Sequence, residues 1–190
     1  MQKSKVKNLV GIGLFTAIVV LLQFLGGGIR FGMFSISLVL IPIVVGSAVY
    51  GWGAGAWLGY AFAMTVLLSG DAGPFLAVSP LGTVLVVVLK GILCGLSAGL
   101  VYKALYRYTK FGAVLCAALI CPIVNTGIFL IGCRVFFFET ISGWASAAGF
   151  PSAGNYMFLG LAGINFLIEV GINLLLAPAI VRLIRIGKKQ

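Results

Sequence analysis

The chain has 190 residues and a mass of 19.9 kDa; 62% of its residues are hydrophobic and 8% are charged, against about 25% charged in a soluble domain. That composition excludes a soluble globular protein. A hydrocarbon core about 30 Å thick takes roughly 20 helical residues to cross, so the length allows about six spans and little else. Histidine is absent and the acids are Asp71, Glu139 and Glu169 alone, which removes His-based metal sites and catalytic triads. Cys94, Cys116, Cys121 and Cys133 sit inside apolar runs without C-x-x-C spacing, so neither a zinc site nor a disulfide framework is expected. The net charge of +10 falls in short clusters between apolar runs, a pattern of membrane topology and not of nucleic-acid binding.

In chain order, apolar runs give six candidate spans: Leu9 to Leu25, Ile36 to Tyr50, Gly53 to Leu68, Leu81 to Tyr102, Phe111 to Phe137, and Met157 to Ile184. The second and third are short, and the uncharged break Tyr50-Gly51-Trp52-Gly53 predicts a tight hairpin between them. The first run, behind Lys3, Lys5 and Lys7, is longer than a signal-peptide core, and no A-x-A-like site follows it. With the N-terminus in the cytoplasm, one face receives Lys3, Lys5, Lys7, Lys103, Arg107, Lys110, Arg182, Arg185, Lys188 and Lys189, ten of the thirteen basic residues. The positive-inside rule then places both termini in the cytoplasm. The expected fold is an all-α membrane protein of six transmembrane helices, forming one integral-membrane domain over residues 1–190.

Small residues recur every fourth position as Gly51, Gly55, Gly59 and Ala63 on the third span and as Gly91, Gly95 and Gly99 on the fourth. Such stripes let helix backbones approach closely in lipid. Gly13 and Ala17 form an isolated small pair on the first span, open to a second use as a docking face for another membrane subunit.

Charges at bilayer depth are costly, so each is a functional candidate. Lys90 lies near the middle of the fourth span and Glu169 near the middle of the sixth, with Asn165 and Asn173 one turn to either side of Glu169. Thr83 and Lys90 belong to a milder polar stripe on the fourth span. Lys90 and Glu169 read either as an ion pair that neutralises two buried charges or as the floor of a solute pocket. Asn125 and Thr126 lie at mid-depth on the fifth span, and Arg134 lies nearer its outer end. Arg134 reads either as the cation for an anionic solute, since its planar donor fork suits a carboxylate, or as an interfacial snorkelling residue. The outer segments Gly70 to Pro80 and Phe138 to Tyr156, rich in glycine and aromatic residues, are long enough to serve as lids. No G-x-x-x-x-G-K-[ST] sequence occurs, so a pump built on this chain draws its energy from another subunit or from an ion gradient.

These features together resemble the substrate-binding S components of energy-coupling-factor transporters, the bacterial vitamin importers. The resemblance covers nearly the whole chain. Leu40-Ile-Pro-Ile-Val-Val-Gly46 followed by Gly51-Trp-Gly-Ala-Gly-Ala-Trp-Leu-Gly59 looks like the second and third helices of that family. Ser79-Pro-Leu-Gly82, Lys90-Gly91, Val124-Asn125-Thr126, Asn165-Phe-Leu-Ile-Glu169 and Ala177-Pro-Ala179 look most like its pantothenate-type branch. The resemblance implies a multi-pass protein of the bacterial cell membrane, with no enzymatic activity and no cofactor. It also implies a vitamin captured from outside, a transmembrane coupling subunit, two cytoplasmic ATPases and import by toppling of the bundle. Docking would use Gly13 and Ala17, although the family motif usually has alanine where Gly13 stands.

Pantothenate, with one carboxylate, one amide and two hydroxyls, is the leading solute on this reading. Arg134 is the candidate for the carboxylate, Asn125 and Asn165 for the amide and hydroxyls, and Phe75 for the lid, with Thr83 beside them and Lys90 and Glu169 at the floor. Cobalamin, a queuosine precursor, riboflavin or folate would suit similar scaffolds. A stand-alone ion-coupled carrier with Lys90 and Glu169 as a proton relay is the rival outside the family, and an intramembrane hydrolase lacks a nucleophile placed beside a base.

Overall fold

The computed structural model of the chain describes residues 2–26, 30–31, 34–35 and 38–187. Ile36, where the second span was expected to start, and the basic residues Lys188 and Lys189 lie outside them. The described chain is almost wholly helical. It begins with α1 (Gln2–Gly26), followed by a two-residue antiparallel pairing of β1 (Arg30–Phe31) with β2 (Phe34–Ser35). The bundle continues with α2 (Leu40–Tyr50), α3 (Trp52–Leu68), α4 (Gly73–Val78), α5 (Pro80–Leu105) and α6 (Lys110–Phe136). It closes with α7 (Phe138–Ala147), α8 (Ala153–Asn155), a π-helical segment (Tyr156–Gly163), α9 (Ile164–Leu175) and α10 (Ala177–Gly187).

Four stretches are long and apolar enough to cross a bilayer: Lys5–Gly26, Pro80–Leu105, Lys110–Phe136 and Ala153–Leu175. The apolar helices α2 and α3 are shorter, at 11 and 17 residues. At 1.5 Å per residue α2 is about 16 Å long, roughly half the hydrocarbon thickness, and it is packed inside the bundle. Its burial agrees, since eight of its residues from Leu40 to Ala48 are shielded from the surface. The run from Met157 to Ile184 is not one rod. The π-helical turns end at Gly163, and the chain restarts as α10 with Pro178 in the first turn, where the missing N–H costs nothing.

The chain reverses between α2 and α3 at Gly51, whose φ of 96° is a conformation that only glycine adopts without strain. This hairpin sets the stripe on α3 against the stripe on α5. A Cβ on Gly59 would overlap the carbonyl oxygen of Gly91, one on Gly91 would overlap that of Gly59, and Gly55 and Gly95 block each other in the same way. The two helices therefore meet backbone to backbone, the closest packing available in lipid. Helix α6 lies along the other side of α5 and touches α9. Two caps fix the starts of α5 and α6: the Ser79 hydroxyl accepts from the Gly82 N–H at 3.3 Å and the Thr109 hydroxyl from the Gly112 N–H at 2.9 Å.

The apolar interior falls into two clusters. One runs through the bundle and includes Leu40, Ile43, Leu58, Phe62, Ala117 and Ile180. The other caps the end of the bundle remote from Lys103, Arg107 and Lys110, and joins Phe75, Phe137, Ile141, Tyr156 and Leu161. The outer segments expected as loops thus contain short helices, because each has an apolar face to bury on this second cluster.

Candidate solute-binding site

A cavity of about 820 Å³, its open mouth included, lies beneath the second cluster, between α1, α3, α5, α6 and α9. Its walls are apolar for the most part, with polar groups brought in singly by different elements. Helix α5 contributes Thr83 and Lys90, α6 contributes Asn125 and Thr126, α9 contributes Asn165 and Glu169, and α1 contributes Gln23. Asp71, in the turn between α3 and α4, completes the set.

Six of the residues expected from the sequence meet here: Phe75, Thr83, Lys90, Asn125, Asn165 and Glu169. Lys90 and Glu169 face the same space, so neutralising each other and flooring a pocket are compatible roles. The Lys90 ammonium lies 5.6 Å from the ring centroids of both Phe62 and Phe129, two faces whose negative quadrupoles attract a cation without consuming its N–H donors. Thr83 donates its hydroxyl to the Ser79 carbonyl at 2.8 Å, leaving its lone pairs to accept. The side-chain carbonyl of Asn125 is buried and without a hydrogen-bond partner among the described residues, a cost of about 1–3 kcal/mol unless a solute or water donates to it. Asn173, which shares the α9 stripe with Asn165 and Glu169, does not line the cavity and donates to the Glu169 backbone carbonyl at 2.9 Å.

Phe75 forms the centre of an aromatic ceiling. Its ring meets Phe137, Trp144 and Phe129 edge to face, with centroids 5.0, 5.5 and 5.6 Å away and interplanar angles of 80°, 79° and 83°. These are the favoured geometries for aromatic pairs. Three elements are tied together in this way over one opening, α4 by Phe75, α6 by Phe129 and α7 by Trp144.

Arg134 lies apart from these residues. It is exposed on the outside of α6, its guanidinium carbon 3.8 Å from the centroid of the Phe138 ring, and it does not line the cavity. The reason is helical phase: Cys133, one position earlier, faces inward, which turns Arg134 by about 100° away. Among the described residues, the basic side chain at the cavity is Lys90. Gly13 and Ala17 also lie away from the cavity, exposed on α1, with open space where a Cβ on Gly13 would stand.

Gln23 and Asp71 are polar cavity residues outside the polar stripes that the sequence marks. Gln23 is 3% exposed, and its amide donates to the Asp71 carboxylate at 2.7 Å, while the Ser69 hydroxyl donates to the same oxygen at 3.1 Å. The available signal was a lone amide in the far half of an otherwise apolar span, a position where a polar group needs a partner.

No curated protein matches the chain at a significant level. The family described as "ECF transporter, substrate-specific component" matches residues 7–181, a stretch that takes in every helix bordering the cavity. The chain therefore belongs to the substrate-specific components of energy-coupling-factor transporters, and it is a multi-pass membrane transport subunit and not an enzyme.

Proposed function

We propose that this subunit captures a water-soluble vitamin outside a bacterial cell and hands it to an energised coupling module, with pantothenate the leading solute. The observation that carries the reading is the cavity that brings together Lys90, buried amides and an aromatic ceiling. Lys90 takes the carboxylate in place of Arg134. The Asn125 carbonyl accepts from the amide or a hydroxyl of the solute, Asn165 and Thr83 serve the remaining polar groups, and Phe62 and Phe129 cover the carbon chain. Both termini lie in the cytoplasm on the distribution of basic residues. The coupling subunit docks on α1 at Gly13 and Ala17, an exposed small-residue face with room for a close helix, and the two ATPases bind that subunit.

A second reading is favoured by charge. Asp71 and Glu169 outnumber Lys90 on the lining, which suits a solute carrying an amine or another positive group. Calorimetric titration of the detergent-purified protein against a vitamin panel containing both classes decides between them. A saturable heat with pantothenate that disappears in Lys90→Met is the expected result. Saturation by cationic vitamins alone would replace pantothenate, and silence across the whole panel would overturn the vitamin-binding role.

A further inference from the structure

A second hollow lies on the outside of the bundle and belongs to nothing described so far. It is an open groove of about 930 Å³ between the last turns of α6, the start of α7 and the π-helical segment. Its walls are Leu130, Ile131 and Val135 on one side and Met157 and Phe158 on the other, and Arg134 is the charged residue among its lining. Ile131, Val135 and Phe158 are each more than half exposed, so in a membrane this surface meets lipid chains.

The depth of Arg134 is set by its helix. It follows Lys110 by 24 positions on α6, about 36 Å along the axis. A bilayer with its headgroups measures about 40–45 Å. With Lys110 in one headgroup layer, Arg134 falls in the opposite one, at the level of lipid phosphates. Its guanidinium rests on the Phe138 ring, a contact through the ring face that leaves the N–H edge free for a bidentate anion. Glu139, the acid next to Phe138, is exposed and does not line the groove.

We propose that this groove is a binding site for an anionic phospholipid, the phosphate held by Arg134 and one acyl chain laid along Leu130, Ile131, Val135 and Phe158. A zwitterionic lipid fits less well, because its own ammonium competes for the phosphate. The site is independent of the solute cavity and does not depend on which vitamin binds there.

Native mass spectrometry of the full chain released from micelles containing equal phosphatidylglycerol and phosphatidylcholine tests the site. The expected result is about tenfold preferential retention of phosphatidylglycerol, the effect of one charge-assisted contact. Arg134→Gln should erase the preference and Arg134→Lys keep part of it. Val135→Glu, which sets a carboxylate beside an intact Arg134, should also erase it, and provides a second route if Arg134→Gln does not fold. Equal retention of the two lipids by the unaltered protein overturns the proposal, as does a preference that survives both substitutions. Displacement of the lipid by glycerol phosphate or inorganic phosphate at equal concentration would assign the site to a free anion and overturn the lipid assignment.

Discussion

Gln23 and Asp71 join the first helix to the rim of the cavity: the Gln23 amide donates to the Asp71 carboxylate at 2.7 Å across 48 positions of sequence. Both residues line the cavity, so the bond crosses the edge of the solute site. A hydrogen bond to a carboxylate contributes about 1.5–3 kcal/mol. Gln23→Leu should lower thermal stability by that order and speed release of bound solute, whereas Asp71→Asn keeps an acceptor oxygen and should be milder. Thermal unfolding and dissociation rates of the two variants check the order, and equal behaviour would show that the bond contributes nothing to closure.

Lys90 lines the cavity and Arg134 does not. Lys90→Met retains the apolar stem between Phe62 and Phe129 and removes the charge, so affinity for a carboxylate solute should fall at least tenfold, about 1.4 kcal/mol or more. Arg134→Ala should leave that affinity within about twofold, since surface substitutions remote from a site act weakly. A calorimetric comparison of the two variants that gave the reverse ranking would return the carboxylate to Arg134.

Phe75 is held by three edge-to-face partners and is 4% exposed. Phe75→Ala should cost about 3–5 kcal/mol of stability and loosen the ceiling, so that bound solute leaves faster while its association changes little. Stopped-flow release measured beside the unfolding midpoint separates these effects. Unchanged release would mean that the ceiling is structural and does not retain solute.

Gly59 of the α3 stripe and Gly13 of the isolated pair on α1 should respond in opposite ways to a larger side chain. A Cβ at Gly59 meets the Gly91 backbone, which cannot swing aside as a side chain could, while a Cβ at Gly13 meets nothing within 4 Å. Gly59→Ala should therefore separate α3 from α5 and abolish monodisperse protein on size exclusion. Gly13→Ala should be neutral for folding, and Gly13→Trp should leave solute binding intact while blocking assembly with the coupling subunit. Normal assembly by Gly13→Trp in a pull-down would move the docking face elsewhere on the chain.

The membrane fold was legible because burial in lipid imposes a coarse demand, long apolar runs with charges at their ends, that composition alone reveals. That the α3 and α5 stripes serve close packing was legible from their four-residue spacing, but that they face each other was not, because spacing marks a face and names no partner. The cavity was partly readable, since Lys90, Glu169 and Asn125 are expensive where they stand. Arg134 stayed open between cavity and interface because a single helical step decides between inside and outside, and an isolated charge near a helix end carries no periodic signal of phase. Gln23 was missed because its partner Asp71 lies in a turn, and nothing local in either segment announces a contact made in three dimensions.

The glycine seam between α3 and α5 has a mechanical consequence. Interfaces built from side chains can slide by exchanging rotamers, but two backbones in direct contact have one fit and no slack, so these helices form a stiff spine. Whatever shape change admits and releases the cargo must fall to the pieces hung around it: the lone first helix, the small aromatic plug, and the loosened turns leading into α9.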